Sequence, residues 1–257
     1  MLRSERAGSV AIWTVDRPAA KNALDRATME ALTRTVEEAR ADATLRAAIL
    51  TGAGEAFVSG GDLRELRDKN TEEDAVALSE GGFALTEGIA ALPFPVVCAI
   101  PGPALGGGAE LAVACDLRIA DARARIGFVQ ARMGVSTAWG TVPRLVALVG
   151  PGTAARLLYA AHVVDASEAR AIGLVDAAVD AGRALDTAMQ WAEEITKSAP
   201  GAVAAMKRLV RAASQHAAEA VRPLERAEFA ATWSSVDHAE AVAAYFERRA
   251  PRWGVRG

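Results

Sequence analysis

The sequence predicts an α/β fold built on parallel strands, and two observations lead to this prediction. Short apolar runs of strand length alternate with amphipathic stretches of helix length through the first half of the chain. Repeated strand-then-helix units place neighbouring strands parallel, with the helices packed on the sheet. Beyond Pro143, alanine- and leucine-rich helical patterns dominate, apart from a short segment at 174–179. We therefore expect a strand-rich core followed by a helical C-terminal part.

The individual elements follow from these patterns in chain order. The runs of strand length are 10–15, 47–51, 96–100, 117–120 and 125–128. The helical stretches in the same half are 28–40, 74–92 and about 107–115. A total of 257 residues without an internal repeat or a clear linker fits one large domain. We divide it into a core at 1–195 and a helical region at 196–257 that packs on the core or on a neighbouring subunit.

One apolar window has the length of a membrane span, because no charged residue lies between Glu87 and Glu110. Prolines at four positions interrupt this window: Pro93, Pro95, Pro101 and Pro103. A membrane helix would lose its hydrogen bonds there, so the window is interpreted as a buried strand followed by a tight loop. The N-terminal residues show no apolar export signal. We expect a cytoplasmic protein without a membrane partner.

Composition and motifs exclude several classes of function. A net charge of −3 is unusual for a general polyanion binder, so nucleic acid is not an expected partner. Residues 201–257 hold nine Lys or Arg against six Asp or Glu, which indicates either solvated helix faces or a phosphate-binding region. Cys98 and Cys115 lie in apolar stretches, which favours buried thiols in a reducing compartment.

Metal and cofactor motifs are missing from the sequence. His162, His216 and His238 are widely separated, and no HExxH or CxxC motif occurs, so no metal is expected. The sequence also lacks a GxxxxGK[ST] loop, a complete dinucleotide fingerprint and a GxSxG elbow. ATP, NAD and serine hydrolase chemistry are therefore disfavoured, and no cofactor is expected.

Two similar glycine loops carry the candidate chemistry, one at 56–63 and the other at 104–111. Each is predicted to lead from a strand through small residues into a helix. Glycine lets a ligand approach the bare backbone, and a helix start directs unpaired N–H groups toward negative charge. Two such loops side by side would place two N–H donors on one oxygen, forming an oxyanion hole made of backbone.

Glu110 lies three residues beyond Gly107, in the first turn of the second predicted helix. A carboxylate at this place could move a proton on a substrate whose carbonyl is polarised by the oxyanion hole. The alternative explanation is charge complementarity, because glutamate also stabilises the N-terminal turn of a helix.

Three motifs resemble the enoyl-CoA hydratase/isomerase, or crotonase, superfamily. They are DRPAAKNAL at 16–24, TGAGEAFVSGGDL at 51–63 and ALGGGAELAVACDLR at 104–118. The stretch YFERRAP at 245–251 resembles the usual last helix of the family. Because their order and spacing agree across nearly the whole chain, the protein is identified as a member of this superfamily.

This resemblance implies a crotonase-like (ClpP/crotonase) spiral of ββα units with a helical C-terminal trimerisation region. It implies an acyl-CoA thioester substrate whose carbonyl oxygen is held by the N–H groups of Gly61 and Gly107, with coenzyme A as part of the substrate. It also implies a homotrimer or a dimer of trimers. By position, the CoA site would be formed by Ala19, Ala23 and Leu63, with Tyr245 and Arg248 contributed by a neighbouring subunit.

One position departs from the hydratase pattern. Hydratases of this family typically use two glutamates to activate and deliver one water, and Glu110 matches the first of them. Gln130 stands where the second is expected. An amide can hold a water but does not exchange a proton near neutral pH. A shifted register is the alternative explanation of this mismatch.

The residues around this position, FVQARMGVSTAWG at 128–140, resemble the FVxxxMGxxxxWG run of ethylmalonyl-CoA decarboxylase-like members, which also lack the second glutamate. Decarboxylation of a malonyl-type thioester needs a stabilised enolate and one proton, so one acid and an oxyanion hole would suffice. Trp139 would line the acyl pocket or pack beside it.

We therefore expect an acyl-CoA lyase with Glu110 as the main acid and base, and Gln130 favours alkylmalonyl-CoA decarboxylation. Hydration of a 2-enoyl-CoA is the alternative within the same class. A non-catalytic acyl-CoA-binding subunit is the alternative from another class. The missing second carboxylate supports that third hypothesis, whereas the presence of both glycine loops and Glu110 speaks against it.

Overall fold

A computed structural model of the chain describes residues 1–69, 71–216 and 218–254. The strands in these ranges are β1 (Leu2–Ala7), β2 (Val10–Val15), β3 (Ala47–Gly52), β4 (Val96–Ile100), β5 (Ala104–Leu105), β6 (Leu117–Asp121), β7 (Arg125–Gly127), β8 (Val163–Asp165) and β9 (Ala177–Val179). The α-helices are α1 (Arg26–Ala41), α2 (Leu63–Leu66), α3 (Glu72–Ala90), α4 (Gly107–Ala114), α5 (Thr141–Tyr159), α6 (Ala166–Ala171), α7 (Ala184–Thr196), α8 (Pro200–Gln215), α9 (Ala218–Trp233) and α10 (Val236–Glu247). Short 3-10 helices lie at Pro18–Ala20 and Val129–Met133.

A six-stranded sheet forms the centre of the fold, in the order β1-β2-β3-β4-β6-β9. β1 is antiparallel to β2, and the other neighbouring strands are parallel. Every residue of β3 and β4 is buried, as is typical of central parallel strands covered on both faces. The predicted α/β class with parallel strands is therefore confirmed.

The two faces of this sheet belong to two separate hydrophobic cores. Ala48 and Leu50 of β3 point into the larger core, which also contains apolar residues of α1, α3 and α4. Ala47 and Ile49 point the other way and pack with residues of α7. Successive side chains of a strand alternate between the faces of a sheet, so one continuous apolar strand serves both cores.

A second, three-stranded sheet in the order β5-β7-β8 positions the candidate site. Ala104 of β5 pairs with Ile126 of β7, and Leu105 pairs with Gly127, in the parallel sense. Because paired parallel strands end at the same edge of a sheet, the segments that follow β5 and β7 leave side by side. The first of these segments leads into α4, and the second leads into the 3-10 helix at Val129–Met133.

Two strands were missed by sequence analysis. β1 carries charged and exposed residues on a sheet edge, where no apolar pattern marks a strand. It joins β2 through a turn in which Gly8 adopts a φ of +59°. β8 contains only three residues, too few for a periodic pattern.

The last three helices, α8 to α10, follow the sheet-packed helix α7. α8 is tied to the core by Lys207, whose ammonium donates to the carbonyl oxygen of Phe94 (2.9 Å) and to the carboxylate of Asp116 (2.7 Å). The division of the chain at residue 196 stays a prediction. Among the described helices, none combines the length and the apolar content that crossing a bilayer requires. The cytoplasmic location also stays a prediction.

The two cysteines are buried, as the sequence predicted. Burial, together with the neighbouring thiol of Cys115, raises the pKa of Cys98 well above its ordinary value. A thiol in such surroundings stays protonated and behaves as a small apolar side chain.

Candidate active site

The two glycine loops lie side by side in the structure. Val58 of the first loop forms a parallel bridge with Ala104 of the second, and the N–H of Leu105 donates to the carbonyl oxygen of Val58 at 3.0 Å. A Cβ added to Gly60 would lie 3.3 Å from the carbonyl oxygen of Leu105 and 3.9 Å from the nitrogen of Gly107. The predicted juxtaposition of the two loops is therefore confirmed.

The N–H of Gly61 is oriented by the chain on either side of it. The N–H of Leu24 donates to the carbonyl oxygen of Gly60 (2.8 Å), and the N–H of Asp62 donates to the carbonyl oxygen of Leu24 (2.9 Å). In a parallel bridge of this kind, the central residue directs its own N–H away from the partner strand. The N–H of Gly61 therefore points away from Leu24.

Gly107 is the first residue of α4, where a helix has no carbonyl four residues back to accept its N–H. The preceding Gly106 adopts a φ of +52°, which a residue with a side chain rarely takes. A Cβ on Gly108 would lie 2.0 Å from the carbonyl oxygen of Val58, so the start of α4 packs directly on the backbone of the first loop.

The first loop differs from its prediction in two respects. Residues 56–58 form no strand beyond the single bridge at Val58, and the following helix α2 has only four residues. A helix of one turn has few aligned peptide dipoles, so α2 supplies little of the positive N-terminal potential that was expected. The loop is held instead by side-chain contacts.

Arg17 provides these contacts. Its Nη2 lies 2.9 Å from a carboxylate oxygen of Asp62 and 3.0 Å from one of Asp25, and its Nη1 donates to the carbonyl oxygen of Ala23. The hydrogen bond from Arg17 lowers the pKa of Asp62 below its usual range, with a further contribution from the N–H of Arg64. Sequence analysis did not assign Arg17 a role, although it lies in one of the motifs that carry the resemblance.

Glu110 is buried at the start of α4, with 4% of its surface exposed. Its Oε1 accepts hydrogen bonds from the hydroxyl of Thr141 (2.6 Å), the N–H of Ala138 (3.2 Å) and the N–H of Trp139 (3.4 Å). Within the described ranges no hydrogen bond reaches its Oε2. The protein thus holds one carboxylate oxygen of a side chain that lines a cleft.

Trp139 fills the space between α3 and α4. A Cβ added to Gly82 of α3 would lie 2.0 Å from the indole ring, and one added to Gly107 of α4 would lie 2.7 Å from it. Its carbonyl oxygen accepts from the hydroxyl of Thr86 at 2.8 Å, which ties the residue to α3 a second time. The indole therefore lies against the backbone of Gly107, and the backbone N–H of the same tryptophan contacts the carboxylate of Glu110.

Gln130 belongs to the 3-10 helix that follows β7. Its side-chain nitrogen and oxygen are both buried, and neither has a hydrogen-bond partner among the residues that the structure describes. Buried side-chain amides in folded proteins are usually hydrogen-bonded, so an unpartnered pair of atoms requires an explanation.

A cleft of about 1640 Å³ runs along these elements. Eight of the predicted site residues line it: Ala19, Ala23, Gly61, Leu63, Gly107, Glu110, Gln130 and Trp139. The structure thus brings together residues from the N-terminal motif, both glycine loops and the segment after β7.

Tyr245 and Arg248 lie elsewhere, at the end of α10, where both are exposed. They are not part of the cleft of their own chain. Their predicted role depends on a neighbouring subunit, so it stays a prediction. In the described part of the chain, no group of three His, Cys, Asp or Glu residues is arranged to hold a metal ion.

The chain is similar in sequence to known proteins over nearly its full length. Residues 5–256 match the family described as enoyl-CoA hydratase/isomerase. The short-chain-enoyl-CoA hydratase of Clostridium acetobutylicum is 36% identical over 246 residues, covering 95% of this chain and 94% of the relative. The crotonyl-CoA hydratase of Syntrophomonas wolfei is 33% identical over 248 residues, covering 95% and 94%.

The fold is also similar to solved structures. The crystal structure of an enoyl-CoA hydratase from Bacillus anthracis has a TM-score of 0.95 at 30% sequence identity and covers 99% of each chain. The predicted crotonase-like fold is therefore confirmed.

Proposed function

The chain belongs to the enoyl-CoA hydratase/isomerase family, and from this premise we propose that it is an acyl-CoA lyase that adds water to a 2-enoyl-CoA thioester. The relatives named above are hydratases, and none of those names is that of a decarboxylase. The expectation that favoured decarboxylation therefore finds no support among them.

The observation that supports the proposal is that the protein fixes only one of the two carboxylate oxygens of Glu110. Three donors fix Oε1, while Oε2 accepts no hydrogen bond from the described residues and the side chain lines the cleft. A carboxylate in this arrangement has a defined direction and one oxygen available for proton transfer. Its position in the first turn of α4 keeps it close to Gly107.

In the proposed reaction the thioester carbonyl oxygen accepts hydrogen bonds from the N–H groups of Gly61 and Gly107. Water adds to C3 as its proton moves to Glu110, and the electrons of the C2–C3 double bond move onto the carbonyl oxygen as an enolate. Backbone donors aimed at that oxygen stabilise the developing charge. Glu110 then returns the proton to C2, which completes a 3-hydroxyacyl thioester and restores the carboxylate.

The outer part of the cleft suits the CoA portion of such a substrate. Ala19 and Ala23 present small side chains along it, and Leu63 exposes 63% of its surface there. A bound CoA would remove this apolar surface from water, which favours binding. These steps require no group beyond the CoA that the substrate itself carries.

The test is hydration of crotonyl-CoA and longer 2-enoyl-CoAs by the purified protein. Glu110→Gln keeps the shape of the side chain but removes its proton exchange, so we expect kcat to fall by about 100- to 10,000-fold. The matched control is Glu80→Gln, which changes an exposed glutamate of the same cleft and should leave kcat unchanged. A wild-type protein that hydrates none of these thioesters would contradict the proposal.

Decarboxylation of an alkylmalonyl-CoA is a second candidate, because Gln130 stands where hydratases of the family typically have a second glutamate. Release of CO2 from methylmalonyl-CoA or ethylmalonyl-CoA, without hydration of any enoyl-CoA, would favour it. Binding of acyl-CoA without turnover of either substrate class, and without an effect of Glu110→Gln, would instead indicate a non-catalytic binding subunit.

We further propose that the chain assembles with copies of itself into a trimer or a dimer of trimers. Large apolar side chains on α8, α9 and α10 are exposed: Met206, Val210, Phe229, Trp233, Val236, Tyr245 and Phe246. Apolar surface of this extent is typical of an interaction site. A second copy bound there would bring Tyr245 and Arg248 toward the CoA of the neighbouring subunit.

The mass of the assembly tests this proposal. Light scattering coupled to size-exclusion chromatography should give the mass of three or six chains, and the mass of a single chain would contradict the proposal.

A further inference from the structure

Arg144 is a largely buried cation that the proposed reaction has not yet used. It is the fourth residue of α5, and 14% of its side chain is exposed. A positive charge near the N-terminus of a helix opposes the helix dipole, and burial removes the charge from water. Helix stability therefore does not explain an arginine at this place, and the contacts of its guanidinium have to.

The guanidinium connects the turn before α5 to helix α3. Its Nη1 donates to the carbonyl oxygens of Trp139 (2.8 Å) and Gly140 (3.2 Å). Its Nη2 donates to one carboxylate oxygen of Glu87 in α3 at 2.6 Å. The other oxygen of Glu87 accepts from Arg211 of α8, so the carboxylate is fixed from two sides. Arg144 thus holds both peptide groups between residues 139 and 141 against α3.

These two peptide groups belong to the segment that holds Glu110. Its Oε1 accepts from the N–H of Trp139 and from the hydroxyl of Thr141. Because a peptide group is planar, the carbonyl of Gly140 and the N–H of Thr141 move together. Arg144 therefore contacts the carbonyl groups of the same segment whose N–H and hydroxyl donors orient the carboxylate.

The backbone of the turn is packed closely on the guanidinium. Gly140 adopts a φ of +70° directly before α5, and it has no side chain that could cap the helix. A Cβ added to Gly140 would lie 2.9 Å from Nη1 of Arg144 and 3.1 Å from Cε2 of Phe83. Glycine at this position leaves the space that the guanidinium occupies.

From these contacts, and resting on the proposed hydration, we propose that Arg144 is a positioning residue that acts through Glu110. It holds the turn at 139–141 in place, and the turn directs its donors at Oε1 of the carboxylate. Arg144 transfers no proton and contacts no substrate in this role. The N–H groups of Gly61 and Gly107 come from other segments, so loss of Arg144 should slow turnover without weakening the binding of acyl-CoA.

The experiment compares Arg144→Met with wild type in two assays. The first is hydration of crotonyl-CoA, and the second is binding of butyryl-CoA, a saturated thioester to which water cannot add, by isothermal titration calorimetry. We expect kcat to fall about 10-fold, because a carboxylate that is less well oriented transfers protons more slowly. KM and the Kd of butyryl-CoA should change less than about 2-fold.

A double substitution tests whether the effect passes through the carboxylate. In the Glu110→Gln background, Arg144→Met should not lower the residual rate of hydration further, because no carboxylate is left to orient. A general disturbance of the site would lower the rate by the same factor in both backgrounds. The residual rate is measured at high enzyme concentration.

The matched control is Arg156→Met, which removes a more exposed arginine of the same helix, paired with Glu168, and should leave kcat unchanged. Urea unfolding shows whether each variant is folded. Arg144→Lys serves where Arg144→Met does not fold. Lysine keeps a cation beside Glu87, but its single nitrogen cannot contact the carboxylate and the turn through separate groups, so kcat should fall about 3-fold with KM unchanged.

Three results would overturn this assignment: a folded Arg144→Met or Arg144→Lys variant with the kcat of wild type, a rise in KM and Kd that matches the fall in kcat, or an equal loss of rate with and without Glu110. A wild-type protein that hydrates no enoyl-CoA would instead contradict the proposed function.

Discussion

The shortest hydrogen bond to the Glu110 carboxylate comes from the hydroxyl of Thr141. Thr141 begins α5 and donates to Oε1 at 2.6 Å, a shorter contact than either of the two backbone N–H groups makes. Thr141 is itself buried, with 1% of its surface exposed. A carboxylate held this way loses little orientational freedom when a substrate binds, which favours turnover.

Replacement of Thr141 by valine should therefore lower turnover without removing Glu110. Valine keeps the volume of the side chain and deletes the donor, so we expect kcat for hydration to fall about 10-fold with little change in KM. Steady-state kinetics on crotonyl-CoA measures both quantities. Thr141→Ser retains the hydroxyl and should keep most of the activity. Equal activity of the valine and serine variants would show that the hydroxyl does not orient the carboxylate.

Helix α3 illustrates how one element shapes the site through its glycines. Gly81 is exposed, and a Cβ placed on it would meet no atom within 4 Å. Its neighbour Gly82 is buried, and a Cβ there would lie 2.0 Å from the ring of Trp139. Adjacent residues of one helix thus face solvent and the indole that lies against Gly107.

Alanine substitutions at these two glycines should have opposite effects on stability. Gly81→Ala should stabilise the protein by about 0.5–1 kcal/mol, because alanine restricts the unfolded chain more than glycine does. Gly82→Ala forces the indole to move and should destabilise the protein by about 1–3 kcal/mol. Urea unfolding measures both, and kcat should also fall in Gly82→Ala because Trp139 contacts Gly107. Equal stability changes would contradict the close packing of the indole.

The end of α10 is held by a separate electrostatic contact. Arg249 donates through two guanidinium nitrogens to the two carboxylate oxygens of Glu240, and the N–H of Arg252 adds a third hydrogen bond at 2.7 Å. The Arg249 side chain, together with the N–H of Arg252, lowers the pKa of Glu240 to about 2, from an ordinary value of 4.5. This contact folds the chain after α10 back onto the helix that carries Tyr245.

A lowered pKa in the folded state means that the contact stabilises the protein above pH 4.5 and that this contribution is lost as the pH falls toward about 2. NMR detection of side-chain carboxyl carbons should find Glu240 ionised down to about pH 3 in the wild type, and Glu240→Gln assigns the signal. In Arg249→Met the pKa of the same carboxylate should rise from about 2 toward its ordinary value of 4.5, since of these contacts only the N–H of Arg252 would remain. A wild-type midpoint near that value would mean that the ion pair is not formed in solution.

Helix α8 of the C-terminal part makes polar contacts with the core. Lys207 of α8 leaves 7% of its side chain exposed and contacts Asp116 and the carbonyl oxygen of Phe94. Burial lowers the pKa of Lys207, and the carboxylate of Asp116 acts in the opposite direction. Asp116 also accepts from the N–H of Val96 at 2.7 Å, so α8 is coupled to the start of a central strand.

Lys207→Met should destabilise the protein by about 1–3 kcal/mol, since it removes one partner of a largely buried pair and leaves the other. The matched control is Arg208→Met, which breaks the more exposed pair with Glu228 and should cost less than about 1 kcal/mol. Urea unfolding followed by circular dichroism and by tryptophan fluorescence measures both. Equal effects of the two substitutions would show that Lys207 does not anchor α8.

Local patterns predicted the central part of the fold well. The strands at Val10–Val15 and Val96–Ile100 have the predicted bounds, because continuous apolar runs need no distant partner to be recognised. α1 begins two residues before its predicted start, where Asp25 accepts from the N–H of Thr28. Strands without an apolar pattern, such as β1, were not predictable because pairing with β2 alone makes them strands.

The fold class, the two glycine loops and the position of Glu110 were thus contained in the order of the residues. Three features of the site were not: the fixed Oε1 of Glu110, the indole between α3 and α4, and the unpartnered amide of Gln130. Glu110 and Thr141 are separated by 31 residues in the chain and by 2.6 Å between their oxygens in space. No local pattern encodes such a distance, because packing of separate elements brings the two groups together only when the chain folds.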